Sequence, residues 1–168
     1  MVNEALSLIR RNHALEHATF QILASRVPNL RGGGYSTPSG FYALGKLDIN
    51  DLMTAAKEAE LRLRNGESEL AIHPNCGTNY AISGLAAGIV AWAAMLYRPK
   101  DFKDRINQLM NVITAVTVAL ILARSWGPKV QERYTTDPNL RGLTDTGARQ
   151  MQVLGMPVTF VRTQVTKR

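Results

Sequence analysis

Between Glu69 and Arg98 the chain carries no Asp, Glu, Lys or Arg, and residues 81–97 inside that gap read Ala-Ile-Ser-Gly-Leu-Ala-Ala-Gly-Ile-Val-Ala-Trp-Ala-Ala-Met-Leu-Tyr. A half-buried strand or an amphipathic surface helix would interrupt such a run with charge at its own period. As a helix rising ~1.5 Å per residue, the run is about 26 Å long, close to the thickness of a bilayer's hydrocarbon core. Trp92 and Tyr97 lie towards one end, where interfacial aromatics collect. A charged turn follows over 98–105, and then a second apolar run that Arg124 and Trp126 close and Gly127-Pro128 breaks.

These runs predict a transmembrane helical hairpin over 80–125, with helices at about 81–97 and 106–124. The first contains Gly84-x-x-x-Gly88 and the second places Ala115, Ala119 and Ala123 in steps of four. Small residues on facing stripes let helices approach closely in lipid, where packing drives association. The alternative is a buried hairpin in a soluble protein, since seventeen residues is at the short limit for a span.

The flanks are of another kind. Residues 3–26 lack Pro and Gly and read as one helix with an apolar stripe through Leu6, Ile9, His13, His17, Phe20 and Leu23 or Ala24. Val27-Pro-Asn ends it, and Gly32-Gly-Gly34 opens a flexible loop. That triplet lacks the Lys-Ser/Thr of a phosphate loop. A strand is expected over 41–46. A helix capped by Asp48 or Asn50 should then run to about Asn65, burying Leu52, Ala56, Ala59 and Leu63 before Gly66 stops it. Residues 69–72 alternate like a short strand. In the tail, a turn at Thr136-Asp-Pro-Asn precedes a loop to about Gln150, and 158–165 alternates as a strand.

A hairpin returns the chain to the side it started from, so the flanks 1–79 and 126–168 should meet. The fold class expected is an α+β membrane protein: a two-helix transmembrane hairpin with a small cytoplasmic α+β head formed by both flanks. The N-terminus lacks the basic start and apolar core of a signal peptide. That predicts a multi-pass protein of the cell inner membrane with both termini cytoplasmic. The net charge of +7 falls outside the head's first part, since residues 1–80 hold eight basic and eight acidic side chains. No basic stripe with interleaved aromatics occurs, so the partner expected is a membrane and not nucleic acid. A homo-oligomer or a larger membrane complex would suit the close-packing hairpin. A lone Cys excludes any disulfide within the chain.

The chemistry concentrates in two short stretches. The chain has three His and one Cys, and all fall in His13-Ala-Leu-Glu16-His17 and His73-Pro-Asn-Cys76-Gly-Thr-Asn79. On a helix, His13 and His17 lie one turn apart on one face, so both imidazoles can reach a single ion. His and Cys are the usual zinc ligands, and a catalytic zinc keeps three protein ligands and an open position. The candidate metal ligands are therefore His13 and His17, with His73 or Cys76 as the third. The cofactor expected is Zn2+ or another divalent transition metal. H-x-x-E-H is the inverted zincin order, in which the Glu acts as general base, a role that falls here to Glu16. The function expected is a metal-dependent hydrolase, with a peptidase as one form, at the cytoplasmic membrane surface. The alternative is a non-catalytic, metal-stabilised scaffold or accessory subunit, which four protein ligands would favour.

These two motifs resemble a group of bacterial membrane proteins described as predicted metal-dependent enzymes. Its members pair a His/Gly-x-x-Glu-His helix with a downstream His-Pro-x-Cys-Gly-Thr turn leading into a transmembrane helix. The matching residues are His13, Glu16, His17, His73, Pro74, Cys76, Gly77 and Thr78, within about 8–125. The resemblance implies a metal site at a membrane surface, not a named reaction.

Overall fold

The computed structural model describes residues 2–166. The chain folds as a mixed α+β protein in two compact units, one made of residues up to His73 and from Glu132 onward, the other of Pro74–Gln131. The first unit holds α1 (Val2–Arg26), β1 (Gly33–Thr37), β2 (Gly40–Leu44), α2 (Ile49–Arg64), a 3-10 turn (Ser68–Ala71), a π-helical turn (Gln131–Thr135, from its second residue on), β3 (Leu143–Val153) and β4 (Met156–Val165). The strands form one antiparallel sheet in the order β1-β2-β4-β3.

Helix α1 is the axis of this unit. The sequence predicts one apolar stripe, yet Arg11, Asn12 and every residue from Ala14 to Phe20 are buried, while Leu6 is exposed. The middle of the helix is covered on several sides, by β1 and β2, by α2 and by the 3-10 turn. Small residues make that possible, because Ala14, Ala18, Ala55, Ala56 and Ala59 are all fully buried. Leu15 and Leu52 of the helices share one core cluster with Phe41, Leu143 and Val161 of the sheet. The expected buried positions of α2 hold, and Asp48 caps it by accepting from the amides of Asn50 and Asp51.

Polar side chains pin the helix to the sheet. Buried Asn12 donates to the Thr37 carbonyl at 2.8 Å and accepts from the Thr163 hydroxyl at 2.7 Å. One amide side chain thus ties α1 to both β1 and β4.

Three local expectations are corrected. The Gly32–Gly34 segment is no loop, because Gly33 and Gly34 begin β1 opposite Leu44 and Ala43. Residues 69–72 form no strand. Their carbonyls are taken by side chains of α1, with Gln21 donating to Leu70 and Ile72 and His17 to Ala71, and Leu70 and Ala71 are buried side by side. The tail is no loop up to Gln150, since β3 begins at Leu143 and pairs along β4. Strand β4, expected over 158–165, pairs on its other edge with β2.

The second unit holds α3 (Gly77–Met95), α4 (Phe102–Arg124) and the short α5 (Trp126–Val130). Both long helices are long and apolar enough to cross a membrane, and almost none of either is buried. Gln108 of α4 donates to the carbonyls of Ala94 and Tyr97. The less exposed face of α4 runs through Gln108, Val112, Ala115, Ala119 and Ala123, so its alanines do lie on the inner stripe. Gly84 and Gly88 do not. A side chain built on either would meet nothing within 4 Å. The inner face of α3 is instead Ser83, Ala86, Ala87, Val90 and Ala94. Gly127-Pro128 begins α5 and does not end all helix there, Pro128 being tolerated in a first turn. Where Gly127 passes the Asn79 side chain there is no room for a Cβ, and Asn79 accepts from buried Gln131 at 2.6 Å.

Candidate metal centre

The site is built on the buried middle of α1. His17 is 4% exposed, and its Nδ1 lies 2.6 Å from the Ala71 carbonyl. His13, one turn earlier, places Nδ1 2.9 Å from the Thr135 carbonyl. A carbonyl oxygen only accepts, so each Nδ1 must carry the proton. In the neutral ring this leaves Nε2 as the lone-pair nitrogen of both histidines. Metal-binding imidazoles are commonly oriented in this manner, one nitrogen donating to a carbonyl and the other facing the ion. The His13 and His17 ring centroids are 4.2 Å apart.

Both carbonyls are held in place by α1 itself. Gln21 grips the residues on either side of Ala71, donating to Leu70 at 2.8 Å and Ile72 at 3.0 Å. Arg10 donates to the carbonyls of Arg133 and Thr136, and the Asp137 amide donates back to Arg10. The segments carrying Ala71 and Thr135 are therefore fixed by residues within two turns of the histidines they orient.

His73 is close at hand, its ring centroid 5.6 Å from that of His17. Cys76 is buried at the N-cap of α3, where its sulfur accepts from the Thr78 amide at 3.4 Å. A helix N-terminus favours an anion, which suits a thiolate ligand. The ligand atoms of His13 and His17 lie within 4.8 Å of each other, a pair that could hold a metal ion together with a third ligand. Imidazole nitrogens and a thiolate are donors that soft or borderline divalent metals accept, while calcium and magnesium prefer oxygen.

Glu16 is 5% exposed and leans towards the sheet. It accepts a hydrogen bond from the Ser36 hydroxyl of β1, and its carboxylate fills the space over Gly34 where any Cβ would collide. The second glycine of the triplet's strand is thus required by the carboxylate packed on it. Sequence reasoning missed Ser36, Gln21 and Thr135. Gln21 had a legible signal, since His13, His17 and Gln21 repeat every four residues along one face. Ser36 and Thr135 had none, being set by strand register and by the return of the tail.

A family profile described as a domain of unknown function, DUF6391, matches residues 8–146. The chain belongs to this family. The match takes in both motifs, the two apolar helices and the start of β3. An uncharacterized protein of the cyanobacterium Picosynechococcus sp. strain PCC 7002 is 38% identical over 167 residues, covering 94% of this chain and 80% of the relative. No solved structure matches.

Proposed function

We propose that this DUF6391 protein is a membrane-anchored, metal-dependent hydrolase at the cytoplasmic face of the inner membrane. His13 and His17, with His73 or Cys76 as third ligand, would hold a zinc-class divalent ion, and Glu16 would serve as general base. The observation that carries the reading is the matched orientation of the two imidazoles, each donating Nδ1–H to a backbone carbonyl. A buried and a half-buried histidine one turn apart with the same tautomer are what a shared ion requires.

The metal would supply Lewis acidity towards an acyl or phosphoryl oxygen. Glu16 would take the proton from the attacking water as that water adds to the substrate carbon or phosphorus, and would pass it to the leaving group as the acyl or phosphoryl bond to that group breaks. The Ser36 hydroxyl, donating to the same carboxylate, orients it. Anchoring is supported by the two uncovered apolar helices, since a core helix of a soluble protein would be mostly buried. Cys76 caps the first of them, so the metal-binding turn leads straight into the anchor.

A second reading has its own observation. Glu16 is seated between Ser36 and Gly34 as a structural carboxylate would be. With His73 as a fourth ligand the site would be closed, and the protein would be a metal-stabilised scaffold of a membrane complex. Glu16→Gln separates the two. Purified in detergent and offered a mixed quenched-fluorescent peptide library and a p-nitrophenyl ester panel, a hydrolase shows turnover that Glu16→Gln abolishes while its metal content stays unchanged. Metal bound in both proteins, with turnover in neither, supports the scaffold.

A further inference from the structure

Arg11 lies on α1 and is buried, with 9% exposure. Its Nη2 donates to Ser7 at 2.8 Å, while its Nε is buried without a partner. No carboxylate lies within ion-pair distance of it among the described residues. A guanidinium stays charged at any ordinary pH and carries five N–H donors. Burying it without an anion is costly, and such a group is normally paired.

It also lines a cleft of about 400 Å3, within the range of small-molecule sites. The cleft lies between the first half of α1, the β1–β2 turn and the ends of β3 and β4. Leu8, Leu143 and Val165 supply apolar wall, Ser39 a hydroxyl, and exposed Glu4 stands at its edge. An inward cation with an apolar lining is complementary to an anionic head on a short hydrocarbon body. A hydrated inorganic anion would leave the apolar wall unused, and an uncharged apolar molecule would leave Arg11 unpaired.

We infer that this cleft is a binding site for an organic carboxylate with a short apolar chain, whose carboxylate pairs with Arg11. The site is separate from the metal centre and does not depend on it. Glu4 at the edge repels a second negative charge, which favours monocarboxylates over dicarboxylates.

The test is calorimetric titration of the full chain in nanodiscs with sodium hexanoate, hexan-1-ol and inorganic phosphate. Hexanoate should bind saturably, and about tenfold or more weakly to Arg11→Gln, the loss expected when one partner of a buried charge pair is removed. Val165→Asp, at a partly exposed wall position, should weaken hexanoate in the same way without unfolding the sheet. Equal binding of hexanol overturns the role of Arg11, and equal binding of phosphate overturns the apolar half. Absence of saturable hexanoate binding to folded wild type overturns the site.

Discussion

His17 donates its Nδ1 proton to the carbonyl of Ala71, fifty-four residues further along the chain, at 2.6 Å. That bond fixes the ring of a buried histidine and joins the first motif of the chain to the approach of the second. Replacing His17 by Ala should lower metal affinity by more than about a hundredfold, beyond the loss from removing an outer partner alone. Gln21→Ala, which frees the carbonyls beside Ala71, should cost about tenfold through loss of orientation. Competition with a chromogenic chelator measures both.

Asn12 predicts a stability effect without a functional one. Asn12→Ala orphans the buried Thr163 hydroxyl and the Thr37 carbonyl, at about 1–3 kcal/mol for each group. Phe41→Ala, at a fully buried position, should cost about 3–5 kcal/mol. Denaturant unfolding of the detergent-solubilised chain, followed by tyrosine and tryptophan fluorescence, reads both.

Gly34→Ala should expel the Glu16 carboxylate from its seat, because the new Cβ would occupy its place. The cost should be about 1–3 kcal/mol, as for other overpacked sites. Ser36→Ala removes only one hydrogen bond and should cost about 1 kcal/mol.

The β3 bulge at Asp145 carries a pH signature. Burial raises the Asp145 carboxyl above its ordinary range, and the neighbouring Glu60 carboxyl raises it further, against a smaller opposing effect of Lys57. A folded-state value above the unfolded one adds stability below the unfolded carboxyl range, and that contribution is lost as pH rises through the folded value. At neutral pH the ionised Asp145 carboxylate therefore opposes folding. Asp145→Asn should raise the thermal midpoint at pH 7 and flatten its dependence between mildly acidic and neutral pH, as differential scanning fluorimetry would show.

Where α3 and α4 meet, the small residues divide into two groups. Gly84→Leu should leave the thermal midpoint in detergent unchanged, because space beside it is open. Ala119→Leu, on the inner stripe of α4, should lower it.

Much of this architecture was legible because it rests on short-range signals. The 25-residue α1, the Asp48 cap of α2 and the two apolar helices follow from periodicity, capping chemistry and hydropathy. What escaped was decided at long range. β1 reads as a glycine loop, yet pairing with β2 and packing on Glu16 make it a strand. β3 carries Asp145, Thr146 and Gly147 around a bulge, and it turns into β4 through Leu154-Gly155, both at positive φ. Asn or Asp before Gly is the usual signal for such a turn, and Leu154 hides it. In the site, the recurrence of His and Cys in two motifs pointed to the residues, while the carbonyls of Ala71 and Thr135 could come only from the fold.

The central claim is that His13 and His17 share one metal ion. Elemental analysis of the chain purified in detergent, without added metal, tests it most directly. The account predicts one transition-metal ion per chain in the wild type and in Glu16→Gln, and its loss in His13→Ala and His17→Ala variants that remain folded. A wild-type protein that binds no transition metal even after zinc reconstitution, or variants that keep it, would contradict the account.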